Sequence, residues 1–161
     1  MRFSPGCTLR VQNGVVEIGE RVGVGGGSKV LANNFVSIGS SVWFGFQNIV
    51  CDTDYHYIER EGKARDCIGE VVIGDRCWIA NSCLLLKGCA LPEDTIIGCR
   101  SFVNKRLPQA GIYAGSPATL VGQGTRVGNK KIQAKMQTWF KNNKGAKEYI
   151  LSEDELKSIK V

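Results

Sequence analysis

Ile73, Ile79, Leu85, Leu91, Ile97 and Val103 stand six residues apart without a break. An amphipathic helix needs apolar spacings near 3.6, and a long half-buried strand needs simple alternation. Period six fits neither. It suits a short strand that turns two side chains inward and then meets a corner, where glycine can adopt backbone angles closed to other residues. Glycine does follow Ile73 and Ile97, and earlier in the chain it follows Ile18, Val24, Ile38 and Phe44, with Val50 continuing that register. Two residues ahead of each later aliphatic position stand Val71, Cys77, Cys83, Cys89, Thr95 and Ser101, a second inward row of small or medium volume. Three such units close a triangular coil of 18 residues. Ile73 then stacks on Leu91, Ile79 on Ile97 and Leu85 on Val103. The period predicts an all-β parallel coil over about residues 11 to 105, with several coils needed because one alone exposes its apolar side.

Composition bounds this reading. A chain of 161 residues supports one main domain, and 43% hydrophobic with 22% charged residues is a globular balance. Residues 1–125 hold 12 Lys/Arg against 11 Asp/Glu, whereas 126–161 hold nine against four, so the excess positive charge sits in the tail. That placement suits a solvated helical face better than a nucleic-acid footprint. The seven cysteines include no Cys-x-x-Cys pair, the spacing of zinc or redox sites, and read as small buried thiols. Cys77, Cys83 and Cys89 lie one side of the triangle apart, so they occupy different faces and form no ladder. No apolar run reaches membrane-spanning length, and the first residues lack a secretory pattern. The expectation is a soluble cytoplasmic protein without membrane insertion.

The register breaks between Val50 and Ile73, which are 23 residues apart where the repeat allows six. A loop over about 51–70 must protrude. Its sequence is dense in charge and contains His56, the single histidine of the chain. An imidazole can accept and return a proton in one catalytic cycle, and Asp52 and Asp54 offer carboxylates that orient such a ring. A solvated acidic turn is the plain alternative. Cys51 is the nearest thiol, but a nucleophilic cysteine requires exposure and a lowered pKa. Beyond residue 125, Ile132, Met136, Trp139 and Phe140, then Tyr149, Ile150, Leu156 and Ile159, predict one or two amphipathic helices over 126–161. These break near Asn142 to Gly145 and restart at Ser152, with Glu155 completing a capping box. Such helices suit the cover of a coil end or a neighbouring subunit.

The repeat, together with VVIGDRCWIANSCLLLKGCALPEDTIIGCRSFVNKRLPQAGIYAGSPATLV, resembles the hexapeptide-repeat acyltransferases over about residues 11–121. The resemblance implies a left-handed parallel β-helix domain over 1–125, an exception to the right-handed crossover rule. It implies direct acyl transfer from acetyl-CoA with His56 as general base, Asp54 assisting it, and no metal. By the same resemblance Trp78, Ala80, Gly98, Cys99, Asn104, Lys105 and Arg106 fall at cofactor-binding positions. Ser116, Pro117 and Ala118 match the family's closing turn with Ser in place of the common Asn. Asp52, Tyr55 and Tyr57, flanking His56, are the substrate-side candidates. Relatives form homotrimers with sites between subunits. The leading expectation is O-acetylation of a sugar or surface-polysaccharide precursor. N-acetylation of an amino sugar or other small amine, and a non-catalytic β-helix scaffold, are the alternatives.

Overall fold

The computed structural model describes residues 1–159 and divides into two units, Met1–Thr125 and the residues from Arg126 on. In the first unit short strands climb around three faces as a left-handed parallel β-helix. Face one carries Arg2–Phe3, Gly23–Val24, Trp43–Phe44, Trp78–Ile79, Ile96–Ile97 and Ile112–Gly115 in parallel, and ends on the antiparallel Ala118–Gly122. Face two carries Thr8–Val11, Lys29–Ala32, Ile49–Cys51, Leu84–Leu86 and Phe102–Val103. Face three carries Val15–Ile18, Phe35–Ile38, Glu70–Ile73 and Ala90–Leu91.

The stacking is the one the period predicts: Ile73 pairs with Leu91, Ile79 with Ile97 and Leu85 with Val103. Ile38, Phe44 and Val50 form the layer before them. Ile38, Ile73, Ile79, Leu85 and Ile97 are fully buried. Each such side chain contributes about 1.5–3 kcal/mol by leaving water. The earlier coils are longer than 18 residues, since Ile18 stacks on Ile38 and Val24 on Phe44, twenty positions apart. The coil also begins ahead of residue 11, because Phe3 pairs with Val24 and Leu9 with Val30.

The role expected of the corner glycines is corrected by the backbone. The corner residues with positive φ stand three positions after an inward residue, and most are not glycine: Arg21, Ser41, Gln47, Arg76, Ser82, Asp94 and Arg100, beside Gly6, Gly27 and Gly88. Gly39 and Gly45 serve close approach instead. A Cβ on Gly39 would stand 2.7 Å from the backbone N of Asp75, and one on Gly45 would stand 3.0 Å from the carbonyl carbon of Ala80. The space they leave admits a side chain from the next coil. Asp75 Oδ1 accepts from the Ser40 amide at 2.7 Å, and Asn81 Oδ1 accepts from the Phe46 amide at 2.9 Å.

The small inward row has a polar purpose as well. Its side chains donate to backbone carbonyls that the ladder leaves over: Cys77 Sγ to Pro92 O at 3.2 Å, Cys83 Sγ to Gly98 O at 3.1 Å, and Ser101 Oγ to Gly98 O at 2.7 Å. Cysteine fits because it is small, apolar in bulk and a weak donor. All seven cysteines are free thiols, and burial pushes Cys77 and Cys89 up to about 12.

The second unit contains helix α1 (Lys130–Asn142) and helix α2 (Glu153–Ile159). Asn129 Oδ1 accepts from the Lys131 and Ile132 amides at 3.0 and 3.3 Å and so starts α1. The capping box at α2 forms: the Ser152 amide donates to Glu155 Oε2 at 2.9 Å and the Glu155 amide to Ser152 Oγ at 3.3 Å. No helix among the described residues is long and apolar enough to cross a membrane.

Candidate active site

The protruding loop leaves at the end of Ile49–Cys51 on face two and returns at Glu70–Ile73 on face three. Its neck is a short antiparallel ladder. The Asp54 amide donates to Cys67 O at 2.8 Å, the Gly69 amide to Asp52 O at 2.9 Å, and Thr53 bridges Ile68. Beyond the neck a hairpin of Ile58–Arg60 and Lys63–Arg65 stands in solvent.

The two aspartates of this loop, alike in sequence, have different surroundings. Asp52 is fully buried, and its carboxylate accepts from the amides of Asn33 at 2.8 Å and Asn34 at 2.7 Å. Those residues form the extended corner of the preceding coil, so Asp52 ties two coils together rather than facing an acceptor. Asp54 reaches the surface, where its Oδ2 lies 2.7 Å from Lys87 Nζ. Among the described residues no hydrogen bond joins Asp54 to His56. Tyr55, at φ 60°, turns the chain so that His56 and Tyr57 follow in solvent, all three of them exposed. Cys51 is buried and its Sγ donates to Thr53 O at 3.2 Å; burial pushes this thiol above its ordinary range, which disfavours a thiolate nucleophile.

The cofactor-side residues lie elsewhere on the prism. Trp78 is 41% exposed on the outside of face one and pairs with Trp43, which is 44% exposed, on the coil before it. Of the three backbone positions expected at the cofactor, Ala80 and Gly98 have occupied amides, Ala80 N donating to Ile97 O at 2.9 Å and Gly98 N to Tyr113 O at 2.8 Å, while the third, Cys99, has an open one. The amide that follows each occupied one is open. Asn81 N–H and Cys99 N–H make no hydrogen bond among the described residues, whereas the Phe46 amide at the corresponding corner is capped by Asn81. Two open donors one coil apart therefore line the corner between faces one and two, beside exposed Cys99. Asn81 was not singled out by sequence; the signal lay in its placement one coil beyond Gly45–Phe46. Asn104, Lys105 and Arg106 are exposed at the opposite end of face two, the edge from which the His56 loop emerges. One chain thus does not bring Trp78 and His56 to the same face. Among the described residues no group of three His, Cys, Asp or Glu is arranged to hold a metal ion.

Coils of this geometry define the hexapeptide-repeat β-helix, and the chain's likenesses fall among acetyltransferases of that fold. No family model matches the chain. WcaF of Escherichia coli, which carries the name of a colanic acid biosynthesis acetyltransferase, is 35% identical over 51 residues, 32% of this chain and 28% of that protein. The chloramphenicol acetyltransferase of Morganella morganii is 27% identical over 124 residues, 69% of this chain and 59% of that protein. The chain thus spans from about a quarter to three-fifths of the length of these relatives. Among solved structures, the polysialic acid-specific acetyltransferase NeuO superposes with a TM-score of 0.69 at 20% identity, covering 86% of this chain and 72% of that one. The hexapeptide-repeat acetyltransferase VCA0836 of Vibrio cholerae gives 0.65 at 20% identity, covering 75% and 69%. At these identities the structural likeness establishes the fold.

Proposed function

We propose that the chain is an acetyl-CoA-dependent O-acetyltransferase acting on a sugar or surface-polysaccharide precursor. The observation that carries this reading is the lone imidazole, His56, held on a loop with a hydrogen-bonded neck that projects from a hexapeptide coil. His56 takes the proton of an acceptor hydroxyl as its oxygen bonds to the thioester carbonyl; the carbon–sulfur bond breaks, and the proton passes to the departing thiolate. No acyl-enzyme is needed, in keeping with a buried Cys51. Acetyl-CoA is the donor substrate, and the open amides of Asn81 and Cys99 suit the amide carbonyls of its arm, with Trp78 alongside. Lys105 and Arg106 suit its phosphates. Solved relatives of the fold include VCA0836 complexed with acetyl coenzyme A, and the N-acyltransferase AntD of Bacillus cereus in complex with coenzyme A, which supports the donor class.

Because Trp78 and His56 face different ways in one chain, the complete site is assembled between neighbouring copies, as a homotrimer. Tyr55 and Tyr57, exposed on either side of His56, offer aromatic faces to the acceptor. Asp54 remains the carboxylate nearest in sequence to the imidazole. The cytoplasm, where acetyl-CoA is available, is the proposed location.

The test is release of free thiol from acetyl-CoA across a panel of sugars, oligosaccharides and amino sugars. His56→Ala should cut transfer by about 100-fold or more while leaving the fold intact. Near-wild-type turnover in the folded variant would overturn the assignment. Turnover confined to amine acceptors would replace O-acylation with N-acylation. A wild-type chain that neither turns over nor binds CoA would point to the scaffold reading.

A further inference from the structure

The geometry points to Lys87 as the positioning residue of the His56 loop, a clasp that holds both legs of the excursion against the coil. Lys87 follows Leu84–Leu86 on the edge from which the loop emerges, one coil beyond Asp52. Its ammonium lies 2.7 Å from Asp54 Oδ2 on the outgoing leg and donates to Asp66 O at 2.6 Å on the returning leg. The Lys87 and Asp54 side chains are 26% and 32% exposed, so water screens this pair less than it screens a surface pair. Gly69 suits the arrangement. A Cβ there would stand 3.0 Å from Lys87 Cβ and 3.2 Å from the Gly88 amide, so the returning leg passes close over the base of the lysine and a side chain at this position would crowd it.

The coil does not need the ammonium. The coil bonds next to Lys87 are between backbone groups, with the Gly88 amide donating to Glu70 O at 2.7 Å and the Cys89 amide to Leu86 O at 3.1 Å, while the Asp52 carboxylate bonds the coil before. Both polar contacts of the Lys87 side chain go to the loop. His56 lies two residues past Asp54, across the sharp turn at Tyr55, so the clasp fixes the point from which the imidazole is carried. The role of Lys87 in catalysis rests on His56 being the general base; its role in ordering the loop does not.

The experiment compares Lys87→Met, Lys87→Arg and Asp54→Asn with wild type in the full chain, by amide hydrogen exchange and by steady-state kinetics. In Lys87→Met the amides of residues 55–66 should exchange about tenfold faster or more, while those of the strands between 71 and 103 keep their protection. The kcat should fall about tenfold or more, with the KM for acetyl-CoA within about twofold of wild type. Lys87→Arg should restore most of both. Asp54→Asn should reproduce the exchange change from the loop's side, and the double variant should loosen the loop no further than either single change. If Lys87→Met fails to fold, Asp54→Asn still tests the contact. Unchanged loop exchange in either variant overturns the proposal, as does a loss confined to the KM for acetyl-CoA, which would make Lys87 a donor-binding cation. Should His56→Ala retain activity, the general-base reading falls while the exchange measurement still decides whether Lys87 holds the loop.

Discussion

Single residues show how little space the coil leaves between its layers. Gly45 lies against Ala80 of the next coil, and Asn81 uses the gap to reach the Phe46 amide. Gly45→Ala should therefore cost about 1–3 kcal/mol by overpacking and by displacing Asn81, read as a lowered urea midpoint. Gly122→Ala, whose added Cβ would meet only Ile112 Cδ1 at 3.9 Å, should stay within about 0.5 kcal/mol of wild type. Equal losses at the two sites would contradict close approach as the reason for Gly45. The same scale separates Asp52 from Asp54. In the sequence they are two carboxylates of one DTD stretch, and nothing local distinguishes them. Only the stacking of coils sets Asp52 beneath the amides of Asn33 and Asn34 and brings Lys87 to Asp54.

Among the elements, the junction of α1 and α2 is built around one carboxylate. Glu155, with an 11% exposed side chain, accepts from Lys135 Nζ at 2.6 Å and from the Ser152 amide at 2.9 Å. The Lys135 ammonium, and after it the Ser152 amide, hold its carboxyl down to about 2 against an ordinary 4.5. A depressed carboxyl binds fewer protons folded than unfolded, so its contribution is present above about pH 4.5 and lost as pH falls toward about 2. Amide protection factors in α2, which correct for the intrinsic pH dependence of exchange, should fall as pH drops across that window in the wild type and lose this dependence in Glu155→Gln. A flat profile in the wild type would refute the ionic junction. This capping box was legible in sequence because Ser152 and Glu155 are three residues apart. The faces of the coil were legible for a similar reason, since burial imposes its period directly on residue type. The purposes of the corner glycines and of Lys87 were not, because their partners arrive from other coils, 18 to 36 positions away.

At the scale of the whole molecule, two exposed features of the β-helix lie apart. Trp43 and Trp78 are register partners on the outside of face one, while the His56 loop leaves from the opposite edge. If the site is assembled between copies, sedimentation equilibrium should give three times the 17.6 kDa chain mass. Mixing inactive His56→Ala chains with inactive Trp78→Ala chains should then recover part of the activity after exchange of subunits, because some sites would receive both intact residues. A monomer that turns over acceptor at full rate would remove the shared-site model.

The excursion from Cys51 to Glu70 closes on itself: Gly69 bonds back to Asp52, and the chain resumes the coil at the edge it left. The prism therefore registers these residues as one elongated corner, whatever their number. Such a graft point confers evolvability, because the tip can lengthen, shorten or change charge with no renegotiation of the interior. The hairpin at the tip is free to change in sequence and length while the layers beneath it keep their packing.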